Sequence, residues 1–149
     1  MTLQERLTAD LRQAQKAGDR ARVSALRLVR AGVKNAEIAK GAPLDDAGVI
    51  DVIAREVKQH RESIAEFAKG NRQDLVAKEE AELATLFEYL PRQMSREEVV
   101  AAARQVIEQV GARGPGDKGK VMSQLMPQLK GKADGHEVSD VVSDLLSGL

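Results

Sequence analysis

The residues of this chain best suited to chemistry lie between Arg113 and Gly135. There Lys118, Gly119 and Lys120 are matched, twelve positions on, by Lys130, Gly131 and Lys132. Glycine lets a backbone come close to a partner, and lysine supplies the charge that meets phosphate. Gly114, Pro115 and Gly116 lead into the first triplet, and only Asp117 and Asp134 oppose the basic side chains. This composition points to binding of a polyanion. A solvated loop with surface lysines and helix-capping glycines accounts for the same residues equally well, because lysine clusters are weakly specific.

Gly114 to Lys120 also has the G-x-x-x-x-G-K spacing of a phosphate-binding P-loop. Val121 then stands where Ser or Thr would hold magnesium, and residues 95–110 read as helix where the motif needs a strand. The match is accidental. No catalytic constellation accompanies it. The serines lack a Gly-x-Ser-x-Gly elbow, and His60 and His136 lack a ligand-like partner spacing. His60 falls on an apolar helix stripe, where a histidine is more often a satisfied core residue than a ligand. No metal, cofactor or catalytic residue is expected.

The elements that must position these lysines are helical. Aromatics are 2% of the chain, so aliphatic side chains and alanine must fill any core. Thr2 to Glu5 reads as a capping box, opening a helix that runs to Gly18. Asp19 caps a second helix, ending before Gly41-Ala42-Pro43. Asp45 or Asp46 opens a third, with the stripe Ile53, Val57, His60, Ile64 and Phe67. Gly70 closes it, and Asn71 starts a fourth carrying Leu75, Leu83, Leu86, Phe87 and Leu90. Pro91 is the expected domain boundary. Ser95 to Glu98 is a second capping box, followed by a helix to Gly111. A short helix bearing Val121, Met122, Leu125 and Met126 is bent or ended by Pro127, and a last one carries Val138, Val141, Val142, Leu145 and Leu146. The expected fold is all-α, with a bundle of about four helices over residues 1–90 and a three-helix subdomain over residues 91–149.

Net charge is zero but unevenly spread: residues 1–40 carry 9 basic and 4 acidic side chains, residues 45–90 carry 6 and 11. Arg27, Arg30 and Lys34 share one face of the second helix. They are expected to pair with the acidic helices that follow, with a second phosphate contact as the alternative. The absence of cysteine and of an apolar signal core is consistent with a cytoplasmic protein, and no run is long enough for a membrane span.

Several segments resemble the GatB/YqeY family. They include Glu56 to Ile64, Gly70 to Leu75, Tyr89-Leu90-Pro91, Gly119 to Met122 and Lys130 to Gly135. The family is similar to the helical tail of the B subunit of the tRNA-dependent amidotransferase that acts on misacylated Glu-tRNA or Asp-tRNA. The resemblance implies two helical subdomains and recognition of tRNA by Lys118, Gly119, Lys120, Lys130, Gly131 and Lys132. Ser123 stands where family members often carry glycine. The resulting expectation is a non-catalytic, tRNA-binding accessory protein. The alternatives are a docking module for an amidotransferase or aminoacyl-tRNA synthetase, and a component with carbon–nitrogen ligase activity using glutamine as amide donor, as the family label suggests.

Overall fold

A computed structural model describes residues 1–149, and it is all helical. Seven α-helices follow in order: α1 (Leu3–Ala17), α2 (Arg20–Lys40), α3 (Asp46–Lys69), α4 (Gln73–Phe87), α5 (Arg96–Val110), α6 (Lys118–Leu129) and α7 (Gly135–Ser147). A single 3-10 turn, Pro115–Asp117, leads into α6. The chain forms two compact units, Met1–Leu90 and Pro91–Leu149.

Side-chain caps set most helix starts. Asp19 accepts from the backbone N–H of Arg22 at 3.1 Å, and Asp45 from that of Gly48 at 2.9 Å. Ser95 and Glu98 form the full reciprocal box. Thr2 accepts from Glu5 N–H at 3.1 Å, but the returning bond from the glutamate is not made. The start of α4 departs further from the sequence expectation. Asn71 sits in the left-handed region (φ 59°) and belongs to the turn, while Arg72 precedes the helix without a side-chain cap and forks onto Asp74. Asparagine tolerates that conformation, so a residue that resembles a cap serves as a turn. Pro127 does not end α6, which runs on to Leu129.

In the first unit α4 packs against α2 and α3, and α1 lies on α2. Leu7, Leu26, Val29, Val49, Ile53 and Leu86 are buried at its centre. α4 is rotated from the expected face. Val76, Glu82, Thr85 and Leu86 point inward, whereas Leu83 and Phe87 are only half-buried. On α3, burial stops at His60, and Ile64 and Phe67 are half-exposed. Tyr89 ties the unit together. It is buried, its hydroxyl donates to the Asp10 carboxylate and accepts from Arg22 at 3.2 Å, and the Arg6 guanidinium lies 4.5 Å from its ring centroid. Burial, reinforced by Asp10, holds the phenol well above the usual tyrosine range. Arg22 also pairs with Glu88.

The second unit is a three-helix packing of α5, α6 and α7. Val99, Val106, Val121, Leu125, Val138 and Leu146 make its core. With no aromatic side chain among them, β-branched residues, leucines and Ala103 fill the space, with Met94, Met122 and Met126 packed at its margin.

Candidate nucleic-acid interface

Lys118 begins α6 half-buried, and Gly119 and Lys120 are exposed in the first turn. A Cβ added at Gly114, Gly116 or Gly119 would meet nothing within 4 Å, and none of the three has a positive φ. Neither packing nor backbone conformation therefore demands glycine at these positions. Gly131 is different. It is buried with φ 78°, the left-handed conformation that turns the chain out of α6.

Lys130 and Lys132 are exposed on either side of Gly131. The twelve residues of α6 span about 18 Å at 1.5 Å per residue, which puts the two lysine pairs at opposite ends of the helix. The acids of the stretch are both engaged by backbone: Asp117 accepts from Arg113 N–H, and Asp134 from His136 N–H, each at 2.9 Å. They close the loop before α6 and cap α7.

The turn at 130–132 is fastened from the start of the unit, a role that sequence reading missed. Gln93 Nε2 donates to the Gly131 carbonyl at 2.8 Å and to that of Pro91 at 2.9 Å, and Met94 N–H donates to the Lys132 carbonyl at 2.8 Å. Nothing in a glutamine's sequence context announces so distant a backbone partner. Just beyond, Arg92 grips Glu98 with two hydrogen bonds, at 3.0 and 2.6 Å. The Arg92 bonds, aided by Ser95 N–H, hold the Glu98 carboxyl down at about 2.

The P-loop spacing comes to nothing. Gly114 to Lys120 follows a helix and contains a 3-10 turn. The expected internal pairing of the α2 cations is also corrected. Arg27, Arg30 and Lys34 are exposed, and the structure joins none of them to an acidic side chain of α3 or α4. The acidic helices turn their charge elsewhere: Arg22 holds Glu88, and Glu79 and Glu82 face His60. At positions i, i+3 and i+7 the three cations form an open basic face.

The family model described as Yqey-like protein matches residues 4–146. The chain belongs to the YqeY-like family. Among curated relatives, it is 42% identical over 105 residues to a Kluyveromyces lactis protein named altered inheritance of mitochondria protein 41, mitochondrial. That match covers 68% of this chain and 56% of the relative. A protein of the same name from Lachancea thermotolerans is 40% identical over 56% of this chain and 46% of its own length. One from Pyrenophora tritici-repentis is 29% identical over 95% of this chain and 79% of the relative. The chain thus spans about half the length of the first two.

These names overturn the expectation of a cytoplasmic YqeY-like protein, since the relatives are named as mitochondrial. The expectation rested on missing cysteines and a missing apolar signal core. The lack of cysteine argues against disulfides, but it does not distinguish one compartment without disulfides from another. No helix is long and apolar enough to cross a membrane.

Proposed function

We propose that this YqeY-like protein is a non-catalytic accessory factor that binds folded tRNA through the Gly/Lys-rich stretch of its second unit. Lys118, Lys120, Lys130 and Lys132 would contact phosphates, while Gly119 permits close approach of the α6 backbone and Gly131 sets the turn. The observation that carries the reading is the open glycine series: Gly114, Gly116 and Gly119 serve no packing or conformational need of the fold. Glycine there costs backbone entropy, and a close-approaching partner supplies a reason to retain it. The open basic face Arg27, Arg30 and Lys34 would add a second contact. Phosphates would give most of the affinity, and the shape of the folded RNA the selectivity.

A docking module with no RNA affinity of its own is less well supported. It calls for a contiguous apolar patch. The large apolar side chains exposed inside the first unit's helices are Leu28 (43%) and Ile38 (70%). Ten positions apart on α2, they are separated by about 15 Å of rise and point roughly 80° apart. Such scattered residues are ordinary surface.

The test is binding of bulk tRNA across a salt series by wild type and by the variant with Lys118, Lys120, Lys130 and Lys132 all replaced by alanine. Wild type is expected to lose affinity steadily as salt rises. The variant, still helical, should bind weakly with a slope smaller by about three for four lost phosphate contacts. Absence of wild-type binding at low salt would sink the proposal for the isolated chain.

A further inference from the structure

The first unit holds one cluster of side chains for which neither core packing nor RNA binding has a use. His60 on α3 is 4% exposed and Glu82 on α4 is 3% exposed, an unusual load for the middle of a small bundle. Glu79 lies one turn before Glu82, with 21% of its side chain exposed, at the solvent side of the cluster. One ligand atom from each of the three residues lies within 4.8 Å of the others.

The hydrogen bonds define the state of the ring. His60 Nδ1 is 2.8 Å from the backbone carbonyl of Glu56, which can only accept, so Nδ1 carries a proton. That leaves Nε2 aimed at two carboxylates, 3.5 Å from Glu79 and 3.9 Å from Glu82. A bare lone pair facing two carboxylates is repulsive, so a proton or a cation must lie between them. Both gaps exceed the usual N–H to oxygen distance of about 2.9 Å. Ligands held about 2.1 Å from a tetrahedral ion stand roughly 3.4 Å apart, which matches the 3.5 Å gap to Glu79 and asks the 3.9 Å gap to Glu82 to close slightly on binding. In addition, Glu82 Oε1 is buried with no hydrogen-bond partner. An orphaned buried carboxylate oxygen is costly, and an ion is among its few sufficient explanations.

We propose that His60, Glu79 and Glu82 form a binding site for one divalent transition cation of the zinc class. Imidazole and carboxylate donors suit such ions, and a backbone carbonyl on Nδ1 is the usual second contact of a ligating histidine. His60 Nε2 and the two carboxylates supply three ligands, and the half-exposed side at Glu79 leaves a fourth position for water. Binding would neutralise the paired carboxylates and pin α4 to α3. The competing account is an imidazolium that holds both glutamates without metal.

The test uses the full chain, stripped with chelator and then titrated with Zn2+ by calorimetry and with Co2+ by visible absorption. His136→Ala is included because His136 and Asp140, exposed and 3.7 Å apart, offer an unrelated surface site. The expected result is one ion per chain in wild type and in His136→Ala, with cobalt bands of a four-coordinate N/O site and a thermal midpoint raised by several degrees with zinc. Glu82→Gln is expected to weaken binding at least tenfold. Should that variant fail to fold, Glu79→Gln, at the exposed side, gives the same reading. Absence of stoichiometric binding in His136→Ala overturns the proposal in favour of the metal-free imidazolium, and unchanged affinity in both glutamine variants overturns it by placing the ion elsewhere.

Discussion

Gln93 donates a 2.8 Å hydrogen bond to the carbonyl of Gly131, thirty-eight positions away, and so fixes the turn that carries Lys130 and Lys132. The bond gives a half-buried backbone oxygen its partner at the point where α6 ends. Gln93→Ala should therefore destabilise the second unit by about 1 kcal/mol, the usual net worth of one such bond. Thermal unfolding followed by circular dichroism checks the stability. If the turn presents its lysines to tRNA, affinity should fall as well, although no charge has been removed.

The glycines should divide sharply. Gly119 lies in a helix with open space at its Cβ, so Gly119→Ala should leave stability unchanged or raise it by up to about 1 kcal/mol. Gly131→Ala must place a side chain at φ 78° and should cost about 1–2 kcal/mol. Urea unfolding distinguishes the two. Weaker tRNA binding by the stable Gly119→Ala protein would argue for close backbone approach.

Gly32 is retained for contact between helices. A Cβ there would lie 2.8 Å from Val52 Cγ1, a short branched side chain with little room to yield. Overpacking should outweigh the gain in helix propensity, so Gly32→Ala should lose about 1 kcal/mol. A higher melting temperature for this variant would contradict the close packing of α2 on α3.

Glu98 gives the second unit a small acid-dependent contribution, small because its pair with Arg92 is exposed. Its carboxyl is held at about 2, principally by Arg92. A depressed folded value means that the stabilisation is fully present above the ordinary glutamate range and is lost as pH falls through that range toward about 2. Glu98→Gln should flatten the pH dependence of stability in this window and leave the neutral side unchanged in shape. Denaturant midpoints measured across the acid range report it.

Replacing Arg27, Arg30 and Lys34 together with glutamine should change stability by no more than about 0.5 kcal/mol, because all three are exposed and join no acid of α3 or α4. A loss of several kcal/mol would reveal pairing that the structure does not contain. With the fold intact, the tRNA salt slope would show whether this face meets phosphate.

Local signals made the helices legible. Asp19, Asp45 and the Ser95/Glu98 box cap helices as their chemistry dictates, and the stripe on α7 is buried as spaced except for the half-buried Leu145. What escaped depends on distance in sequence. The rotation of α4 that buries Glu82 and Thr85 follows from how α2 and α3 pack around it, and a leucine-based stripe gives no sign of it. The same rotation brings Glu79 and Glu82 to His60, so no spacing within either helix marks that cluster. The Gly/Lys-rich stretch was plain as composition. That its two lysine pairs stand at opposite ends of one helix, with the far turn anchored by Gln93, emerges only in three dimensions.

The Tyr89 hydroxyl rests on Asp10, seventy-nine positions earlier. The last residues of the first unit thus lock its first helix, which gives its assembly an order in time. On a ribosome α1 and α2 can form while the chain is still short, with Asp10 near Arg6 and Arg22, but the tyrosine that joins these three side chains is missing until residue 89 has left the exit tunnel. At synthesis rates of about 5–20 residues per second that delay is several seconds. Tyr89 is therefore a late clasp, and Tyr89→Phe should leave the completed bundle more open to proteolysis by removing the hydroxyl's bonds to Asp10 and Arg22.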